Sequence, residues 1–354
     1  MKKSATSSVK PVGFGIIGAG MIAELHARSL QTLGNTELIG FYDANPAAAQ
    51  ARAKQFHCKA YDDFEEFLAD SSIEAVTIAT PSGLHAAVAI PAARAGKHIL
   101  CEKPLEVTLE KVDKVIAACD ENHVLLSPVF QSRFSRPVQL VREAMLGGRF
   151  GRMVLASAQM RWYRDTAYYT RSNWRGTWKM DGGGALMNQA IHMIDLLLYI
   201  NGAPAEVSAI AGTLTHSIEV EDNLCATVRW RNGSFGTIEV STSCAPGFPR
   251  RLEFSGSTGS VSFEEDSMIR WDFLDHQSID DEIKAAITGG GEARGGRAPM
   301  NINEMGHRAQ LADLANAIRL GTPLRLDGRE GRRAVELIAG IYESVRSGKP
   351  FCFD

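Results

Sequence analysis

Cysteine is scarce in this chain, six residues among 354, at positions 58, 101, 119, 225, 244 and 352. No two stand as C-x-x-C and none is paired with histidine at a metal-binding spacing, so neither a disulfide framework nor a zinc module is expected, and no metal site is assigned. A reducing, cytoplasmic setting suits such thiols. Positive charge is not in surplus either: 38 lysines and arginines face 41 acidic residues, a net charge of −3. That balance offers no field for a polyphosphate backbone, and nucleic acid is not an expected partner. No apolar run reaches the length of a membrane span. The apolar stretch from Val12 to Ala23, behind Lys2 and Lys3, carries four glycines and no following A-x-A site; it reads as a strand and a glycine turn, not a signal peptide.

What is present is ordinary globular composition, 45% hydrophobic and 22% charged, in a chain long enough for about two domains. From Val12 to about Val129 short apolar runs alternate with amphipathic stretches. Strands are expected at Val12 to Ile17, Glu37 to Tyr42, Ala75 to Ala79, His98 to Cys101 and Val124 to Val129. Helices are expected at Pro46 to Phe56, Phe64 to Leu68, His85 to Ala95 and Leu109 to Glu121. This rhythm is that of βαβ units around a parallel sheet.

Beyond residue 130 the runs at 153–160, 207–211, 223–230, 234–241, 251–255 and 260–263 read as strands of a mainly antiparallel sheet. Arg231-Asn232-Gly233-Ser234 is the expected type I′ hairpin turn between two of them. Helices are expected at 185–200, 304–319 and 329–346. The fold expected is an α/β N-terminal Rossmann domain, residues 1–130, and an α+β C-terminal domain with a large open sheet, residues 131–354, whose closing helices can pack back on the first. The stretch 287–297, with five glycines, reads as a flap or a plain connector.

Gly18-Ala19-Gly20-Met21-Ile22-Ala23 supplies G-x-G-x-x-A between the first strand and the first helix. Gly18 permits the tight turn, Gly20 lets backbone approach a pyrophosphate, and the free amides at Met21 and Ile22 open the helix toward it. Asp43 ends the second strand, where a carboxylate can accept both ribose hydroxyls; no arginine adjoins it, so NAD is favoured over NADP. Its alternative is a helix N-cap. Thr80, Pro81 and His85 follow the third strand and Glu102-Lys103-Pro104 the next, at the carboxyl edge where such sheets bind ligands. Lys103 could equally be a solvated charge, and His85 an ordinary residue of a first helical turn.

Farther on, Gly182-Gly183-Gly184 leads into a helix on which Asn188, His192 and Asp195 fall at i, i+4 and i+7. They form a polar stripe that is either functional or a hydrogen-bonded seam. Upstream, Trp162, Tyr163, Arg164, Tyr168, Tyr169, Trp174, Arg175 and Trp178 crowd together. Such a set stacks on sugars and holds anions, or builds an oligomer interface; Trp174 and Arg175 are assigned to substrate.

With these pieces in order, together with His307-Arg308-Ala309-Gln310-Leu311 and Asp327-Gly328-Arg329-Glu330-Gly331-Arg332-Arg333, the chain resembles the glucose-fructose oxidoreductase, inositol dehydrogenase and MocA family over nearly its whole length. The resemblance implies hydride transfer between a nicotinamide cofactor and a hydroxyl carbon of a sugar, cyclitol or nucleotide-sugar, by a homo-oligomer, dimer or tetramer. Lys103 matches the family lysine that contacts the reacting oxygen, and His192 the residue assigned proton transfer. Gln131 and Arg133 match polar positions near cofactor and substrate. Asn188 replaces the aspartate of inositol dehydrogenase-like members, and Asn188 to His192 looks like members acting on amino-sugar or nucleotide-sugar substrates. The rival readings are a non-catalytic NAD-sensing binding protein and an NAD-retaining, redox-assisted glycosidase.

Overall fold

The computed structural model describes residues 10–172, 174–288 and 304–354. They gather into two compact units. The first holds residues up to Leu105, Glu110–Gln131 and the segment ending at Glu330; the second holds Glu106–Leu109, the residues from Ser132 to the end of the central segment, and Gly331–Asp354.

In the first unit, β1 (Val12–Ile17), α1 (Met21–Thr32), β2 (Thr36–Tyr42), α2 (Pro46–Phe56), β3 (Lys59–Tyr61), α3 (Phe64–Ala69), β4 (Ala75–Ile78), α4 (His85–Arg94), β5 (His98–Cys101), α5 (Leu109–Glu121) and β6 (Leu126–Pro128) follow in order. The six strands are all parallel, in the order β3-β2-β1-β4-β5-β6, which is the doubly wound order of dinucleotide-binding sheets. Every residue of β1 is buried, as a central parallel strand covered on both faces requires. Ala23, Ala27 and Leu30, at helical spacing on α1, join its core.

Leu311, Leu314 and Ala315, from the helix Glu304–Leu320, enter that same core. Each buried leucine there contributes roughly 1.5–3 kcal/mol relative to exposure. Gln310 fixes the helix further. It accepts from the Phe130 amide at 3.2 Å and donates to Ser127 Oγ at 3.0 Å and to the Pro128 carbonyl, which ties it to the end of β6.

The second unit contains α6 (Arg136–Leu146), β7 (Met153–Arg161), α7 (Thr166–Thr170), a π-helical turn (Ala185–Ala190), α8 (Ile191–Asn201), β8 (Pro204–Gly212), β9 (Asn223–Trp230), β10 (Phe235–Ser241), β11 (Arg251–Gly256), β12 (Gly259–Glu264), β13 (Ser267–Phe273) and α9 (Ser278–Thr288). After α10 (Glu304–Leu320), already placed in the first unit, come α11 (Gly328–Ser347) and β14 (Phe351–Cys352). The eight strands run β13-β12-β11-β7-β10-β9-β8-β14. The sheet is antiparallel except for the central pair β7 and β10, which is parallel.

β9 alternates strictly, with Leu224, Ala226, Val228 and Trp230 buried. Val154, Leu155, Ile210 and Phe235, on β7, β8 and β10, are exposed.

The hairpin at 231–234 differs from its expected form. Only Gly233 has positive φ (+85°), and its amide donates to the Trp230 carbonyl at 3.0 Å. This is the longer loop in which a turn ends on a left-handed glycine. Such a loop needs positive φ only at its glycine, and the Asn232 side chain braces it: its Oδ1 accepts from the Ser234 amide and its Nδ2 donates to the Asn201 carbonyl, both at 3.0 Å. Of the glycine-rich stretch, Ile287 and Thr288 end α9, and the residues from 289 on lie outside the described residues, as do residues 1–9 of the amino-terminal segment.

Candidate active site

Within the first unit the glycine turn lies at the carboxyl end of β1, between β2 and β4. Gly18 has φ +99°, and a Cβ there would stand 2.7 Å from the Ala79 carbonyl oxygen, so a side chain is refused on both counts. Around Gly20 a Cβ would meet nothing within 4 Å. That is open space at the first turn of α1, where free amides and the helix dipole favour a diphosphate. Asp43, at the end of β2, accepts the Ala19 amide at 2.7 Å and the Asn45 amide at 2.8 Å. It therefore fixes the glycine turn as well as its own loop, while leaving carboxylate lone pairs for further donors.

Arg52, which the sequence reading missed, reaches the same turn from α2. It donates to the Ala19 and Gly20 carbonyls, each at 3.2 Å, and to Glu24 at 2.7 Å. The spacing to Asp43 in sequence hid it, because one and a half turns of helix bring it back.

Thr80 Oγ1 and Gln131 Oε1 are buried side-chain atoms with no hydrogen-bond partner among the described residues. Unsatisfied acceptors and donors of this kind call for a ligand or water. Together with the open cradle at Gly20 and the carboxylate of Asp43, they fit a dinucleotide. Met21 is exposed, Ile22, Thr80 and Pro81 half-buried.

His85 is buried, with Nδ1 2.8 Å from the Pro104 carbonyl and Nε2 3.0 Å from the Thr80 carbonyl. It thereby joins the two loops at the carboxyl ends of β4 and β5. Lys103, half-buried, precedes a cis peptide bond to Pro104, in the loop His85 anchors.

Glu102 turns inward. Its Oε1 lies 3.0 Å from His26 Nε2 and 3.9 Å from His307 Nε2, and all three residues are buried. Burial pushes its carboxyl up, but the hydrogen bond to His26 and the charges of His26, His307 and Lys103 overcome it and bring the pKa down to about 2. The sequence held no sign of this cluster, since its members come from α1, the end of β5 and α10.

A carboxylate held below its unfolded value of 4.5 stabilises the fold above that value, and the contribution is lost as pH falls from there toward 2. At full strength it is on the order of 3 kcal/mol. Glu102→Gln is expected to be less stable at neutral pH and to lose less stability on acidification below 4.5, as read by urea midpoints across pH.

In the second unit, Gly182, Gly183 and Gly184 lead into the π-helical turn. Glu221, buried, accepts the Gly184 amide at 3.0 Å, the Leu186 amide at 2.9 Å and the Tyr342 hydroxyl at 2.9 Å. Desolvation raises its pKa. The crowding is severe: a Cβ on Gly184 would lie 1.8 Å from the Glu221 carbonyl oxygen. This latch, also absent from the sequence reading, fixes the start of the segment that presents Asn188 and His192.

Asn188 Nδ2 donates to Asp181, and Asp181 also accepts the Gly176 amide at 2.8 Å. His192, in the first turn of α8, is half-buried. The expected polar stripe does not stay on one accessible face: within α8 His192 keeps partial exposure while Asp195 is covered by Arg133. Asn188 and His192 keep partial exposure; Asp195 is 1% exposed.

Asp195 instead meets Arg133. The guanidinium donates through Nε at 2.9 and 3.1 Å and through Nη2 at 2.6 Å, with Arg133 itself 3% exposed and stacked 4.6 Å over Tyr199. Arg133, expected near substrate, is thus committed to a bidentate buried pair one turn beyond His192. Trp174 and Arg175 are half-buried, and the Arg175 guanidinium stacks 4.9 Å from the Trp174 ring and 4.6 Å from that of Tyr168.

Comparison with known proteins agrees with this geometry. Residues 12–130 match the oxidoreductase family with an NAD-binding Rossmann fold, and residues 138–262 match the GFO/IDH/MocA C-terminal domain. Inositol 2-dehydrogenase of Rhizobium meliloti is 30% identical over 263 residues, covering 72% of this chain and 76% of the relative. The crystal structure of the WlbA dehydrogenase from Bordetella pertussis in complex with NADH and UDP-GlcNAcA superposes with a TM-score of 0.90 at 33% identity, covering 98% of each chain. Its counterpart from Chromobacterium violaceum, also with NADH and UDP-GlcNAcA, gives 0.88 at 31% identity over 98% of this chain and 96% of that one. A parallel 3-2-1-4-5-6 sheet with an open glycine turn and a mostly antiparallel second sheet, matched end to end at this identity, places the chain in the Gfo/Idh/MocA family of oxidoreductases.

Proposed function

We propose that this oxidoreductase oxidises or reduces one hydroxyl carbon of a sugar, cyclitol or nucleotide-sugar, with Lys103 and His192 as its catalytic residues and NAD as its cofactor. The observation that carries the reading is the glycine turn at the switch point of the first sheet, capped by Asp43, with Lys103 at the carboxyl end of β5 in the same sheet. Bound NAD supplies the hydride acceptor. Gly18, Gly20, Met21 and Ile22 would line the diphosphate, Asp43 the adenosine ribose, and Thr80, Pro81 and Gln131 the remainder. His85 and Glu102 support the loops around them. Lys103 donates a hydrogen bond to the reacting oxygen and stabilises the developing alkoxide, while His192 takes the hydroxyl proton. Asn188, Trp174 and Arg175 hold the sugar, and Arg133 sets the place of α8 through Asp195.

NAD is preferred over NADP because the Asp43 carboxylate repels a 2′-phosphate, and Arg52 is occupied by Glu24. Asp43→Ser is expected to weaken NAD by about 10-fold or more and to narrow the NAD/NADP ratio by a similar factor, the scale of hydrogen bonds to a charged group. Fluorescence titration with both cofactors reads it; an unchanged ratio removes the assigned role.

The exposed apolar residues Val154, Leu155, Ile210 and Phe235 on one face of the second sheet suit a homo-oligomer, which sedimentation equilibrium would read. Among the described residues no helix is long and apolar enough to cross a membrane. Among the described residues none of the six thiols is in a disulfide, which suits a cytoplasmic setting, and the charge balance suits no nucleic-acid partner. The activity is tested by mixing the protein with NAD and a panel of cyclitols, aldoses, amino sugars and nucleotide-sugars while following reduced nicotinamide. Absorbance rising with one class supports the reading. NAD that co-purifies and never gives net NADH points to the glycosidase alternative, and binding without turnover to a sensor.

A further inference from the structure

Arginines buried in the second unit are matched with acids. Arg133 has Asp195, and Arg149 pairs with Asp280 at 2.8 Å. Arg164 breaks the pattern: it is 9% exposed, yet among the described residues no carboxylate lies within ion-pairing range of it, nor of Arg175. The two guanidiniums flank one ring, Arg164 at 5.4 Å and Arg175 at 4.6 Å from the centroid of Tyr168, and each also stacks on a tryptophan, Trp162 and Trp174, at 4.9 Å.

Arg164 donates to Gln189 Oε1 at 2.9 Å and to the Tyr163 carbonyl at 3.3 Å. Gln189 in turn donates to the Tyr168 hydroxyl at 2.7 Å and to Asn188. The Nε atoms of both arginines are buried and without a hydrogen-bond partner among the described residues. Burial and the neighbouring Arg175 charge both push the Arg164 pKa down. Two like charges set close together, one of them desolvated and neither neutralised, are a cost that an incoming anion would relieve. The aromatic stacking fixes the planes of both forks before a ligand arrives.

We propose that Arg164 and Arg175, oriented by Tyr168 and Gln189, form an oxyanion site that selects acidic sugars, binding a carboxylate or phosphoryl group of the substrate whose hydroxyl Lys103 and His192 act upon. The inference rests on the dehydrogenase reading for the identity of the sugar and on the arginine geometry for its charge. Neutral cyclitols lack the group this site recognises.

The test uses the NAD-loaded protein and reads tryptophan fluorescence, since Trp162 and Trp174 carry the two guanidiniums. The probes are D-glucuronate for a carboxylate, glucose 6-phosphate for a phosphoryl group and UDP-GlcNAcA for both, against D-glucose and myo-inositol as neutral controls. Acidic probes are expected to bind about 10- to 100-fold more tightly than the neutral ones, with affinity falling as salt rises. Arg175→Gln should remove most of that ratio, and Arg175→Lys, which keeps the charge but not the fork, should restore part of it. Whether glucuronate or glucose 6-phosphate shows the larger gain identifies which oxyanion the pair holds.

Equal affinity for acidic and neutral probes, or an Arg175→Gln variant with the parent's ratio, overturns the proposal. Arg164→Lys, with circular dichroism to confirm folding, repeats the test at the buried member. NADH absorbance in the same samples reports the dehydrogenase reading separately. Neutral polyols oxidised as well as acidic ones would leave that reading standing and remove the anion site. Anion binding lost in Arg175→Gln with no NADH from any sugar would do the reverse.

Discussion

Replacing Lys103 by methionine, or His192 by alanine, is expected to lower turnover by about 10²–10⁴-fold, the range seen when a positioned acid, base or oxyanion donor is removed. Methionine keeps the length and apolar stem of Lys103 while deleting the ammonium that meets the developing negative charge. Alanine removes the imidazole from the first turn of α8, which follows the π-helical segment whose start Glu221 holds. The two losses should differ in kind. Lys103→Met leaves a base in place, so its rate keeps the parent's pH dependence at a lower level. His192→Ala transfers the proton to solvent, and its rate should climb with hydroxide concentration. NAD affinity, measured by fluorescence, should change by no more than a few-fold in His192→Ala. A rate within a few-fold of the parent in either variant removes that residue from the mechanism.

Arg133→Ala is expected to have the largest effect on stability. The guanidinium and the Asp195 carboxylate are both buried, at 4% and 1% side-chain exposure, and bound in a bidentate pair. Deleting one partner leaves the other charged and desolvated, which typically costs about 3–5 kcal/mol. A buried pair is not itself a large net stabiliser, so Arg133→Met combined with Asp195→Leu should recover much of the loss. The single variant should also lose activity, because Asp195 lies one helical turn beyond His192 and its release lets α8 shift. Urea unfolding of the two single variants and the double variant closes the cycle. A single-variant loss below about 1 kcal/mol would mean that water reaches the pair.

The parallel strands of the first unit were legible because each is an apolar run bounded by turn residues, and the central ones are long enough to stand out. β3 and β14, of three and two residues, were not, since an edge pairing that short has almost no local pattern. β13 was missed because Ser267–Phe273 carries two charged residues on its exposed face. α6 has an apolar stripe, Val138, Val141 and Ala144, but it lies where the pattern changes from alternating helices and strands to antiparallel strands.

The site shows the same division. The glycine turn and Asp43 are close in sequence and could be read as one motif. Glu102 with His26 and His307, Glu221 with Tyr342, and Arg133 with Asp195 are pairings across 62 to 205 residues, and nothing in local spacing announces them. The π-helical turn at Ala185–Ala190 was equally hidden, because no residue spacing within it sets it apart from the helix it opens.

In the proposed mechanism one ammonium and one imidazole act on the same hydroxyl. A crystal structure of the protein with NADH and an oxidisable sugar tests it most directly. Lys103 Nζ and a His192 ring nitrogen are expected within hydrogen-bond reach, about 3 Å, of a single sugar oxygen whose carbon faces the nicotinamide C4. A complex in which the two groups contact different parts of the ligand, or in which only one of them reaches it, would rule out their joint action on one hydroxyl.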